Sequence, residues 1–455
     1  MKKTFLVSIA FLLFSFSSFS QNEKNIWYFG DNAGLDFNSG SPVALTNNAM
    51  ATIDNSATVA DKSTGSLLFY SNGLSVWNRN HTVMPNGSGL QGNISGGTCA
   101  FAVKQPGSNS LYYLFTTDYL NGAKGLEYSV IDMSLNSGDG DVTAVKNVML
   151  LNPATERMCA TYHANGLDIW VIAHPYGSGS YNAYLLTSSG LNTTPVVSTI
   201  GTSMSGNTTL ACGQMTVAPK GNKICSAIYN TQYELYDFNC NTGVLSNCII
   251  IPSTYAWGCA FSPNGVYLYT SRLWNTPITQ YNISSNNQAT IIASETVVGN
   301  VTGPDPYYTG YMQNAPDDKI YIAKYSDDYL AAINSPDVSG VSCNFSDNGI
   351  YLGGRTSKCG LPNFVAPGGT TAINDNVENF SIEVYPNPAG DLIYINTSVQ
   401  LLNPEITIFN QLGQVVLQQP FSLSDPQINI SNLTKGIYIL QLTSENKTAR
   451  YKIIK

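Results

Sequence analysis

The sequence predicts an all-β protein in two parts, a large region of repeated short strands and a small strand-rich block at the C-terminal end. Composition is the first observation behind this. Charged residues make up only 11% of the 455-residue chain, against roughly a quarter in an average soluble domain. Polarity comes instead from Ser, Thr, Asn and Gly, alongside 28 Tyr. Tyr and Thr suit pleated surfaces, while Gly and Asn supply the positive φ of tight turns. The second observation is a recurring unit of short strands, and the third is a change of texture after residue 366. Hydrophobic residues at 43% suffice for a large core.

Taken from the start, Lys2 and Lys3 form a positive n-region and Thr4 to Phe16 an apolar stretch. Ser18-Phe19-Ser20 then places small residues at the two positions a signal peptidase reads. Residues 1–20 are expected to be a signal peptide cleaved before Gln21, so that the mature protein leaves the cytoplasm. The apolar run is too short to span a bilayer. Formal net charge is -8, with no Lys/Arg cluster. That excludes the electrostatic footprint of a nucleic-acid binder and argues against an anionic membrane surface.

Six segments share one pattern: a short apolar strand, a turn with Gly, Asn or Asp, then a strand rich in Tyr and aliphatics. They span 56–71, 99–116, 159–174, 212–230, 259–271 and 311–325. A self-similar unit of this kind predicts the blades of a β-propeller. One four-stranded blade cannot bury both faces alone; packing neighbours around an axis buries them and leaves only short edges. CGLPNFV (359–365) reads as an orphan first strand, whereas NIWYFG, GLDF and PVAL (25–45) read as three strands lacking a first. Joined, they would complete a seventh blade from both ends of the region. Seven blades over residues 21–366 are expected, with six or eight left open by the count.

Residues 367–378 are small, polar and without periodicity, as in a linker. Residues 379–455 follow as a compact β-sandwich, with plain alternation in ITIFN and YILQL. Pro386 and Pro388 would end its first strand by fixing φ and denying ladder donors, with Asn387 between them. Gly413 and Gly436 are expected in tight turns needing positive φ. With five Lys/Arg against five Asp/Glu in this block, the chain's acidity belongs to the large region and linker.

VYPNPAGD (384–391), ITIFNQLGQVV (406–416), ISNLTKGIYIL with Tyr438 (430–440) and the terminal RYKIIK (450–455) stand in that order. In this the block closely resembles the type A C-terminal sorting domain of the bacterial type IX secretion system. The resemblance implies export followed by recognition of this domain by an outer-membrane translocon. It also implies removal of the domain, with release of the remainder or its attachment to surface lipopolysaccharide. The large region, from IWYFG to LLFYSNGLSVWNRNHTVMPNG and beyond, is similar to N-terminal domains of surface proteins from such bacteria. That similarity carries architecture and no catalytic residues.

Candidate chemistry is sparse. His163 and His174 flank a hairpin and could meet across it as a metal or base pair; strand-end hydrogen bonding is the ordinary role for them and for His81. Asn136, Asp139 and Asp141 loosely resemble a calcium loop but lack the closing Glu; calcium is the one cofactor raised, and none is expected. Asp305, Asp317, Asp318, Asp327 and Asp328 could pair as glycosidase carboxylates or simply be acidic turns. Nine cysteines permit disulfides in an exported chain. Cys240 with Cys248, and Cys343 with Cys359, are the candidate pairs, with connectivity open. Cys99, Cys159, Cys212 and Cys259 fall in first strands, where small buried residues fit better than a metal ring. Trp77, Trp257 and Trp274 either stack on a sugar or pack between blades. No catalytic motif is present. The expected function is a secreted or surface binding or adhesion module for a glycan or protein ligand. The alternative is an extracellular polysaccharide hydrolase or lyase on the same scaffold.

Overall fold

The computed structural model describes residues 22–305, 309–367, 378–379, 382–397, 401, 404–410, 415–444 and 447–455. The expected signal peptide, most of the linker and Gly413 lie outside these residues. The chain divides into two compact units, 1–370 and 371–455. Both are all-β among the described residues, apart from 3-10 turns and one α-helix, Gln288–Ala293. No helix of the described residues is long and apolar enough to cross a membrane.

The first unit is a succession of seven small sheets. Sheet A has three strands, Ile26–Phe29, Ala33–Asp36 and Val43–Leu45. Sheets B to G each open with the hairpin of one repeated segment. Their first strands are β1 (Ser56–Ala60), β2 (Phe101–Lys104), β3 (Ala154–Tyr162), β4 (Met215–Val217), β5 (Ala256–Phe261) and β6 (Thr309–Asn314). Every residue of β1 and β5 is buried. Alternation is lost here because both faces are covered by neighbouring sheets, which is why these strands read as continuous apolar runs.

One apolar core fills each space between successive sheets. Ile26 and Tyr28 of sheet A meet Ala60 and Tyr70 of sheet B, and Tyr233 and Leu235 of sheet E meet Leu268 and Tyr281 of sheet F. A further core joins the last sheet to the first, where Tyr321, Ala323 and Leu330 pack on Trp27, Phe29 and Leu35. Trp27 and Phe29 are 0% exposed; burying each such side chain contributes roughly 1.5–3 kcal/mol.

The expected pairing of residues 359–365 with sheet A is corrected. The short strand β7 (Pro362–Asn363) pairs in parallel with β1, Pro362 opposite Ser56 and Asn363 opposite Ala57. The segment runs from one first strand to the next. The Cys359 carbonyl accepts from Tyr311 N at 2.7 Å, Cys359 N donates to Ile53 O at 2.8 Å, and Ala366 N donates to Ala160 O at 2.8 Å. Its hydrogen-bonding groups are therefore spent on sheets B, D and G. Its apolar side chains still serve sheet A, since Leu361 and Phe364 pack beside Trp27.

The second unit holds a five-stranded and a three-stranded sheet. One aliphatic core draws on both: Val384, Ile393, Ile395 and Ile428 meet Ile406, Ile408, Leu440, Leu442 and Ile453. Here alternation is clean, with burial at every second position of Ile437–Ser444. Gly436 departs from expectation. It is absent from the positive-φ residues, and its backbone exchanges two 2.9 Å hydrogen bonds with Lys455. It serves as a ladder end beside the Tyr438 ring rather than as a left-handed turn.

Candidate functional site

The first strands of sheets B and C, of D and E, of E and F and of F and G touch one another, and Gly97 N donates to Glu156 between sheets C and D, so the starting ends converge. Each contributes a residue there: Asp54 ahead of β1, Gly97 ahead of β2, Glu156 in β3, Cys212 and Gln214 ahead of β4, Trp257 in β5, Tyr311 in β6 and Cys359 ahead of β7. Glu156 is 1% exposed. Its carboxylate accepts from Gly97 N and Leu120 N, each at 2.7 Å, and from the Cys212 thiol at 3.5 Å. Gln214 crosses the bundle: its side-chain oxygen accepts from Cys259 N at 2.9 Å and Met312 N at 3.1 Å, while its amide donates to Met312 O at 2.7 Å. Glycine is required at 97, because a Cβ would sit 2.8 Å from the Tyr311 hydroxyl and 3.1 Å from Glu156 Oε2.

Electrostatically this is an acidic, buried plug. Burial raises the Asp54 carboxyl well above its ordinary range, and the Glu156 charge pushes it further. Burial raises Glu156 as well, opposed by its two backbone donors. Asp54 Oδ1, the Tyr311 hydroxyl and the Trp257 indole N–H are buried with no hydrogen-bond partner among the described residues. Arg157, 0% exposed, is spent structurally: its guanidinium donates to the carbonyls of Leu210 and Cys212 at 2.9 Å and Ala227 at 3.3 Å.

Aromatic rings roof the plug. Trp257 stacks on Tyr311 at 5.0 Å, Tyr229 stands edge-on to Trp257 at 5.8 Å, and Trp274 Nε1 donates to the Tyr229 hydroxyl at 2.7 Å. Trp274 is 39% exposed, Tyr255 38% and Tyr119 43%. A solvent-facing aromatic surface thus covers carboxyls that solvent does not reach. Such a surface offers ring faces for stacking; the closed carboxyls beneath offer no open acid–base pair.

Of the residues singled out from sequence, Trp257 and Trp274 meet here with Cys212 and Cys359. Asp54, Glu156, Gln214 and Tyr311 were missed; the one available signal was the Glu156–Arg157 pair inside a first strand of a charge-poor chain. Trp77 packs between sheets, stacked on Tyr70 at 5.4 Å. The two histidines do not meet. The register sets Tyr162 opposite Ile169 and Ala154 opposite Pro175, which places His163 and His174 at opposite ends of the hairpin. His163 lies against Asn241 O at 3.1 Å, and His174 is buried against Tyr181 at 4.5 Å. His81 sits between Tyr70 and Asn47.

Asp139 is taken by Asn80 at 3.0 Å and Arg79 at 3.6 Å, and Asp141 by Asn86 at 3.3 Å; Asn136 opens a 3-10 turn. Among the described residues no group of three metal-ligating side chains forms. The acidic pairs stay in turns: Asp317 accepts from Tyr321 at 2.9 Å, Asp327 pairs with Lys324 at 2.9 Å, Asp318 holds a φ of 61°, and Asp305 and Asp328 lie in irregular backbone. Neither candidate disulfide is formed. Cys248 falls in the bulge between the Leu235–Ile249 and Asp237–Ser246 pairs, three to five residues along from Cys240, or ~10–16 Å at strand rise. A bridge needs Cα atoms within about 7 Å. Cys343 belongs to the core between sheets F and G, and Cys359 to the axial cluster. Cys99, Cys159, Cys212 and Cys259 are buried.

In the second unit the bend at Pro386–Pro388 locks the first strand to the last. Asn387 Nδ2 donates to Lys452 O at 2.8 Å and its Oδ1 accepts from Ile454 N at 2.9 Å. The buried Tyr438 hydroxyl donates to Thr434 O at 2.8 Å. Residues 383–455 match the model of the secretion system C-terminal sorting domain. This unit is a type IX secretion sorting domain. It couples the protein to the type IX machinery and makes it a secreted or outer-membrane surface-attached protein. The chain also carries a match to beta-agarase D of Zobellia galactanivorans, 36% identical over 74 residues. That match covers 16% of this chain and 14% of the agarase, so the chain spans a small part of that relative. Two solved structures are similar to most of the chain. A functionally unknown protein from Desulfotomaculum acetoxidans has 12% identity and a TM-score of 0.45 over 75% of this chain and 99% of its own. A putative 6-phosphogluconolactonase from Bacteroides fragilis has 11% identity and a TM-score of 0.42 over 88% and 97%.

Proposed function

We propose that the first unit is a closed seven-bladed β-propeller acting as an extracellular binding module, with a saccharide held against its aromatic end. Support for closure comes from the core joining Tyr321 and Leu330 to Trp27 and Leu35, and from β7 linking first strands around the axis. The observation that carries the binding reading is the exposure of Trp274 and Tyr255 above a buried, solvent-closed polar plug. Amphipathic rings half open to water are the surface that sugar rings stack on. Export would begin with the signal peptide at residues 1–20, and the sorting domain would be removed once the large unit is held on surface lipopolysaccharide or released.

A polysaccharide-active enzyme is the second reading, favoured by the raised carboxyls of Asp54 and Glu156. It ranks lower because Glu156 is already filled by backbone donors. A glycan array probed with the full chain and with W274A/Y255A tests the binding reading. Saccharide binding that falls about tenfold or more in the variant supports it; binding equal in both proteins sinks it. Depolymerisation of an array glycan, abolished in D54N, would establish the enzyme instead.

A further inference from the structure

Opposite the aromatic end, at the finishing ends of β1, β2 and β3, lies a cleft of about 250 Å³. Its charges run against the rest of the molecule. Lys24, from the 3-10 turn Asn22–Lys24, Lys62 after β1 and Lys104 at the end of β2 all line it, with Glu23 as the one carboxylate. The chain as a whole carries 29 Asp and Glu against 21 Lys and Arg, so three amines in one small recess are a local inversion. Among the described residues none of the three enters an ion pair. Lys104 lies 5.7 Å over the Tyr112 ring. Asp61, next to Lys62, has its Oδ1 taken by Ser63 and Thr64.

Tyr112, Tyr162 and Phe364 supply aromatic walls. Lys24 is part-buried; burial holds its amine down to about 8, and burial with Glu23 pushes the Tyr162 hydroxyl up to about 12. A part-buried amine with no ion-pair partner gains a charge-assisted hydrogen bond from an anion bound beside it. The volume falls just below the roughly 300–1,000 Å³ of drug-sized sites, which suits one ring with its substituents.

We propose that this cleft binds a single acidic sugar residue, carboxylated or sulfated, with Lys24 on the anion, Lys62 and Lys104 at the rim, and the ring between Tyr112, Tyr162 and Phe364. The site is separate from the aromatic end and stands without it.

Calorimetric titration of the full chain with galacturonate, glucose 6-sulfate, glucose and inorganic sulfate tests this. One or both acidic sugars bind and glucose does not, the preferred acid identifying the substituent. K24M lowers that affinity about tenfold or more, and K24R retains most of it. Reductive methylation supplies a readout on the unmutated protein: the ligand protects Lys24 while exposed lysines react as before. Failure of both acidic sugars to bind, undiminished affinity in K24M, or unprotected Lys24 overturns the site. Inorganic sulfate binding as tightly as the sugar overturns the saccharide assignment.

Discussion

The axis of the large unit and the core of the sorting domain are built on opposite terms. The sorting domain buries aliphatic side chains at alternate positions and one tyrosine, Tyr438, whose hydroxyl is satisfied within four residues. The large unit buries Asp54, Glu156, Arg157 and Gln214 where its first strands converge. Buried polar groups cost free energy unless every partner is in place, so they tolerate one arrangement of the strands where a hydrophobic interior tolerates several. A module that has only to fold and be recognised can do without them. A unit that must hold seven small sheets in one arrangement gains from them.

That contrast can be broken most sharply at Arg157. Replacing it with Ala strands three buried carbonyls, and we expect a loss of about 3–5 kcal/mol in urea unfolding of the large unit. A loss below about 1 kcal/mol would mean that the axis is wetter than its burial implies. In the sorting domain, Leu440→Ala should cost about 2–5 kcal/mol as an ordinary cavity, confined to the transition of that unit; a shift in both transitions would make the two units one cooperative body. Asp54 gives a pH signature. Its folded carboxyl keeps a proton that the unfolded chain releases near pH 4, so wild-type stability falls as pH rises above that value, by up to about 1.4 kcal/mol per pH unit, until the folded group ionises. Asp54→Asn should flatten this slope between pH 4 and 7 in parallel unfolding curves. His174 runs the other way: burial and Arg157 hold it neutral when folded, so its contribution is lost as pH falls below about 6.5. The smallest effect is expected at Asn387, where Ala removes two backbone clamps on the last strand and costs about 1–2 kcal/mol, read as reduced surface display after mild heating.

Much of the architecture was legible because it rests on local chemistry. The six hairpins follow from apolar runs separated by Gly, Asn and Asp turns, and the sorting domain from period-two alternation. The partner of residues 359–365 was not legible, since a strand of two ladder residues carries no pattern that selects sheet A over sheet B. That His163 and His174 stand at opposite ends of their hairpin was not legible either, since sequence spacing does not provide a register. Asp54 and Glu156 went unnoticed because a single acid in a turn or a strand looks the same in sequence whether it faces water or a buried cluster. The lysine cleft was hidden for a similar reason: Lys24, Lys62 and Lys104 are far apart in the chain and form no cluster in it.

The bond between Asn55 and Asn363 spans 308 positions, and this has a bearing on when the molecule can assemble. Closing so long a loop is entropically slow, and the residues that close it are among the last of their unit to be synthesised. Until they arrive, the ends of β1, β3 and β6 lack the carbonyl and amide partners that residues 359–366 bring. The nascent large unit therefore remains an open, incomplete assembly for most of its synthesis, and its final locking step falls immediately before the export label emerges.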